Sequence, residues 1–163
     1  MDGVMPMRIE GIESIRDIFS IFHDGSLLSC VDEGGELSLE VEIEYLAKRI
    51  DPNFKRFSVR LFEVSDINFS TWPSDLAAKP ATLTKLVEIF AADLEVLEGN
   101  FKGDLIEVVC NQHSSEFGYC GGELRFRCRR ATVTDEAGKE YSIEELGALS
   151  KGYWDEWSKR NQA

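Results

Sequence analysis

The sequence predicts an α+β fold, mostly antiparallel β in the form of a curved sheet or two-layer sandwich, with helices at its N- and C-terminal ends. Two observations carry this prediction. Segments with a period of two outnumber those with helical spacing, and the links between them are of hairpin length, which favours antiparallel pairing. The clearest helical stripes lie near the two ends of the chain, where they can pack on the faces or edges of a sheet.

The elements follow in order. Ile12, Ile15, Ile18, Phe19 and Phe22 recur at offsets of three and four and paint one apolar stripe on a helix over residues 12–22. His23-Asp24-Gly25 ends it: glycine supplies the left-handed conformation that closes many helices, and a histidine there caps the last carbonyls. The period then changes to two. Leu37, Leu39, Val41 and Ile43 alternate with Ser38, Glu40 and Glu42, and residues 26–32 are read as the hairpin partner across Glu33-Gly34-Gly35. A helical turn or crossover over residues 45–50 precedes the turn Asp51-Pro52-Asn53. Alternation in Phe57, Val59, Leu61 and again in Ile67, Phe69 predicts a second hairpin over residues 56–72. Leu83, Leu86, Val87 and Phe90 predict a short helix after the loop between Pro73 and Pro80. Residues 94–98 and 104–110 read as strands around a long hairpin loop, Gly99-Asn100-Phe101-Lys102-Gly103. Residues 123–133 read as the last long strand, bulged at Arg129-Arg130. After a turn at residues 135–138, Ser142 and Glu145 make a capping box for a C-terminal helical segment whose apolar face is Ile143, Leu146, Leu149, Tyr153 and Trp157. Gly147 and Gly152 weaken that segment, leaving one helix and two consecutive short ones both open.

The 163 residues fit a single domain, with residues 1–9 expected outside its ordered part. No apolar run is long enough to span a bilayer, and residues 1–10 lack the layout of a secretory signal, so a cytoplasmic location is expected. Cys30, Cys110, Cys120 and Cys128 are accordingly read as free thiols. Thirty acidic residues against 18 basic ones give a net charge of −12. Such a field repels phosphate backbones and anionic lipid surfaces, so neither nucleic acid nor a membrane is expected as a partner, whereas a basic protein is attracted.

Five groups could carry chemistry. His23 beside Asp24 is the raw material of a general base, but no nucleophile motif accompanies it, and a helix-capping role is the plainer reading. Cys110, His113, Cys120 and Cys128 could be imagined around zinc, yet their spacing matches no paired zinc motif, so neither metal nor cofactor is expected. Arg125, Arg127, Arg129 and Arg130 form a basic stripe that cross-strand pairing with Glu36, Glu40 and Glu42 would neutralise. Tyr153, Trp154 and Trp157 either pack the last helix on the sheet or anchor a partner. His113-Ser114-Ser115-Glu116 occupies a polar loop of the kind that often holds binding groups.

Phe22-His23-Asp24-Gly25, leading into residues 26–31 and the alternating strand over residues 37–43, resembles the opening of small bacterial domains, some of them grouped with the immunity proteins of polymorphic toxin systems. The resemblance covers about the first third of the chain and implies a non-catalytic protein that binds and blocks a toxin. The function expected from the sequence is therefore a non-enzymatic protein-binding domain, with Tyr153, Trp154, Trp157, His23, Asp24 and His113 as candidate binding residues. The alternatives are a small-molecule-binding β-sandwich, a hydrolase using His23, Asp24 or His113, and a homodimer formed through a strand edge.

Overall fold

The computed structural model describes residues 8–161. A two-residue strand β1 (Ile9–Glu10) leads into helix α1 (Ile12–Ile21), followed by β2 (Ser26–Glu33), β3 (Glu36–Glu42), a single turn α2 (Glu44–Ala47), β4 (Arg56–Phe62), β5 (Ser65–Pro73) and β6 (Thr82–Leu83). The single turn α3 (Leu86–Ile89) precedes β7 (Leu94–Lys102), β8 (Leu105–Gln112), β9 (Tyr119–Arg127), β10 (Arg130–Thr134), β11 (Glu140–Tyr141) and helix α4 (Ile143–Arg160). Of the residues expected to be disordered, 1–7 lie outside the described residues, while Ile9 pairs with Ala131 and is 2% exposed. The fold class is the one predicted.

The strands run β1-β10-β4-β3-β2-β7-β8-β9-β5-β6, every neighbouring pair antiparallel, with β11 beside β10. The two halves of this order meet at two seams. At one, β2 and β7 pair only through Ser26, Leu27, Leu94 and Glu95. At the other, β4 continues into β5 and β9 into β10, so two bent strands form one antiparallel ribbon that turns a corner at Glu63-Val64 and Cys128-Arg129. Bends of this kind let strands pass from one layer to the next. Glu63 at φ 53 and Asp66 at φ 56 absorb the change of direction.

The predicted hairpin over residues 56–72 is therefore corrected. Only β2, β3 and β4 form a meander; β5 leaves it to pair with β9 and β6. A two-residue hairpin closes on a type I′ turn, with positive φ at both central residues, or on a type II′ turn, which takes glycine at the first, and Glu63 is not glycine. Glu63 has a positive φ and Val64 does not, so the chain bends without reversing. The predicted long strand over residues 123–133 likewise starts earlier, at Tyr119, and breaks at the same corner into β9 and β10. The predicted helix from Leu83 is shorter, because Thr82 and Leu83 pair with Ser70 and Phe69. At the other end, α4 is one continuous helix through both glycines, and the capping box at Ser142 and Glu145 is present.

Helix α1 fills the curve. Ile15, Ile18, Phe19 and Phe22 are completely buried. Phe22 stacks on Phe57 of β4 at 5.1 Å, while Phe19 meets Phe126 of β9 edge-on at 5.9 Å, so one helix packs against both halves of the sheet. Gly99, expected in a hairpin loop, is buried within β7; the turn is Gly103-Asp104. A Cβ at position 99 would sit 2.4 Å from the carbonyl oxygen of Arg16, so glycine is there to let helix and strand backbones touch.

Candidate functional site

The chain leaves α1 through His23 and Asp24. The left-handed residue is Asp24, at φ 68, and Gly25 serves another need: a Cβ there would lie 2.9 Å from the Phe22 carbonyl oxygen. The Asp24 amide donates to Val96 O at 2.7 Å, which fixes the turn against β7. The histidine does not cap the helix with its ring. Its backbone carbonyl accepts from the Tyr45 hydroxyl at 2.9 Å, and its Nδ1 lies 3.3 Å from Asp24 Oδ2.

Helix α4 lays its aromatic residues over this turn. Trp154 stacks on His23 with ring centroids 5.2 Å apart and planes at 22°, and it meets Tyr45 of α2 edge-on at 5.8 Å. Tyr153 packs on Tyr45 at 4.6 Å. Burial, with the charge of Asp24 adding to it, pushes the Tyr45 hydroxyl well above its usual titration range. Arg49 bonds Glu156 at 2.8 Å and holds that carboxyl below the usual carboxylate range, tying the last turns of α4 to the segment after α2. Gly152 makes room for this pair, since a Cβ there would lie 2.9 Å from Arg49 Nη2.

Five of the six predicted binding residues, His23, Asp24, Tyr153, Trp154 and Trp157, thus come together. Trp154 replaces Trp157 as the packed indole, whereas Trp157 touches only the edge of Trp154 at 5.7 Å and stays 48% exposed. The predicted apolar face holds at Ile143, Leu146, Leu149 and Tyr153, and departs from the expectation only at its end. Tyr45 and Arg49 were missed, because nothing local links a residue near position 45 to one near 155.

His113 lies elsewhere. Exposed on the loop after β8, it is 3.4 Å from Glu95 and borders a polar cavity of about 380 Å³ with Ser26, Asp93 and Gln112. Among the described residues no group of three or more His, Cys, Asp or Glu side chains could hold a metal ion. Cys110 and Cys128 are buried, and burial raises both thiols, Cys110 to about 12. Cys120 is exposed, with its thiol 3.6 Å from Trp72 O.

The arginine stripe is paired at Arg125, Arg127 and Arg130, but not with the expected carboxylates. Arg125 bonds Glu107 at 2.8 Å as well as Glu123, Arg127 bonds Asp66 at 2.7 Å as well as Asp104, and Arg130 bonds Glu63 at 2.9 Å. The reason is strand order: β9 lies between β8 and β5, and β3, which carries Glu36, Glu40 and Glu42, lies between β2 and β4. Glu36 pairs with Arg60 instead, and Glu40 accepts from Ser58.

The imidazole of His23 therefore has a carboxylate on one nitrogen and an indole over one face, with Tyr45 as its other neighbour. This arrangement fixes a helix against a turn, and among the described residues the polar partner of the ring is Asp24, while the Tyr45 hydroxyl is spent on the His23 carbonyl. No protein-family model matches the chain, nor does any curated protein or solved structure.

Proposed function

We propose that this chain is a non-enzymatic binding domain for a basic protein, an inhibitor of the immunity type, and that it docks through the outer face of α4. The observation that carries the reading is Trp157, half exposed on a helix whose position is set by the Tyr45, Tyr153, Trp154 and His23 stack, with Asp155 and Glu156 exposed beside it. Trp157, presented on a helix that this stack fixes, suits a protein partner that offers an apolar pocket, while the carboxylates of Asp155 and Glu156 beside it are bonded by Lys151 and Arg49. The net charge of −12 favours a basic partner.

Co-expression with the product of each neighbouring gene, followed by calorimetry, tests the reading. A complex that weakens as salt rises, and that Trp157→Ala weakens by at least about tenfold, is expected. Absence of any complex at low salt, or a complex indifferent to Trp157→Ala, would overturn it. A small-molecule reading has one observation of its own, the cavity beside His113 and Glu95. Its volume of about 380 Å³ is at the lower end of ligand sites.

A further inference from the structure

The edges exposed by this sheet are finished in different ways. β1 and β6 are two residues long, too short to template another strand. β7 parts from β2 after Glu95, and α1 covers what is exposed: the Ser20 hydroxyl donates to Gly99 O at 3.2 Å and accepts from Gly99 N at 3.3 Å. β2 is different. It parts from β7 after Leu27, bulges at Leu28, and from there to Glu33 pairs with β3 alone.

Which backbone groups face outward follows from the turn. Gly34 and Gly35 have φ of 67 and 91, so Glu33 and Glu36 form the bonded pair that closes a two-residue hairpin. Alternation then makes Val31 and Ser38 the next bonded pair and turns the N–H and C=O groups of Cys30 and Asp32 away from β3. No other backbone group among the described residues bonds them. Along this edge runs an open groove of about 610 Å³, walled by Leu28, Cys30, Leu86, Val87 and Phe90, whose single charged lining residue is Asp32. Val31 is 52% and Val87 78% exposed.

We propose that this edge receives an extended segment of a partner protein as an added strand, apolar on one face and carrying Lys or Arg on the other. Two observations define that chemistry. A strand added here continues the pleat, so alternate side chains meet the apolar wall of Leu86 and Phe90. The other set extends the outer face, where Ser29, Val31 and Glu33 form the adjoining row, and Glu36 and Glu40, bonded by Arg60 and Ser58, stand one strand further in. A second copy of the chain would bring another −12 and oppose carboxylates with carboxylates. The inference uses a different face from the α4 reading, and the two can fail separately.

Amide hydrogen exchange on the full chain, with a blocked peptide of about eight alternating lysines and valines as the probe, tests it. The peptide is expected to slow exchange at Cys30 and Asp32 by at least about tenfold. The same peptide with glutamate for lysine, or with alternate N-methylated residues, is expected to leave them unchanged. Cys30→Pro removes one outward N–H while keeping the bonds to β3, and it should abolish the protection without altering exchange in β8. Should that variant not fold, the N-methylated peptide on the unaltered protein decides. Unchanged exchange would mean an edge kept empty by its own carboxylates, and protection at other residues would place the peptide elsewhere. Protection that grows with protein concentration alone would mean self-pairing. Each of these overturns the inference.

Discussion

Helices α1 and α4 are both amphipathic, and they are stabilised by opposite means. α1 has ten residues, no side-chain bond at its N-cap Gly11, and no basic residue in its last turn, yet three of its residues and the Phe22 beyond them are wholly buried. α4 has eighteen residues, a complete capping box, acids in its first turn and bases in its last, and Leu146 as its one buried residue. The pair Lys151–Asp155 at i and i+4 adds to this local support. α1 is a helix because the sheet closes round it, and α4 because its own sequence encodes one. The difference separates the core of the fold from a surface that can change without endangering it.

The largest test of this contrast is Phe19→Ala, which removes a buried ring between α1 and Phe126 and should cost about 3–5 kcal/mol in denaturant unfolding. A loss confined to α1, with both sheet halves intact by hydrogen exchange, would break the comparison. Ser20→Ala leaves the buried N–H and C=O of Gly99 without their partner and should cost about 1–3 kcal/mol, felt by the whole fold. Ser142→Ala should cost about 1 kcal/mol through loss of the cap, and most of the effect should appear as faster exchange in α4 while β7 and β8 keep their protection. If β8 loosens equally, α4 belongs to the cooperative core.

The smallest effect expected is on acidification. Neighbouring cations hold Asp155 and Glu156 below the usual carboxylate range, chiefly through bonds from Lys151 and Arg49. A lowered folded value means that their contribution is present above the unfolded value, about 4. It is lost as pH falls through the folded one. Protection of the last turns of α4, measured against an unstructured peptide at the same pH, should therefore fall below about pH 4 while that of α1 is unmoved.

Much of the fold was legible because its signals are local. The alternation of Leu37, Leu39, Val41 and Ile43 gave β3, the glycine pair gave its turn, and Ser142 with Glu145 gave the start of α4. Partners were not legible. Phe57, Val59 and Leu61 announce a strand but not that β4 pairs with β10, some seventy residues on, because a period of two says which face is buried and nothing about the neighbour. Gly99 was misread since glycine serves both turns and close approach, and only the position of Arg16 tells them apart. In the candidate site the aromatic residues of α4 and the His23 turn could be named from sequence. Their meeting through Tyr45 is a property of the tertiary fold, and so was the choice of Trp154 over Trp157 for the packed position.

The bent ribbon of β4–β5 and β9–β10 interlaces the polypeptide. Because the path passes from one half of the sheet to the other at Glu63-Val64 and returns at Cys128-Arg129, each half contains strands from early and late in the chain. Nicking the exposed segment around Leu76 would divide the molecule into two pieces that each supply strands to both halves of the sheet, β5 clasped by β9 and β10 by β4. Neither piece is a subdomain, and a cut chain holds together as a mutual embrace.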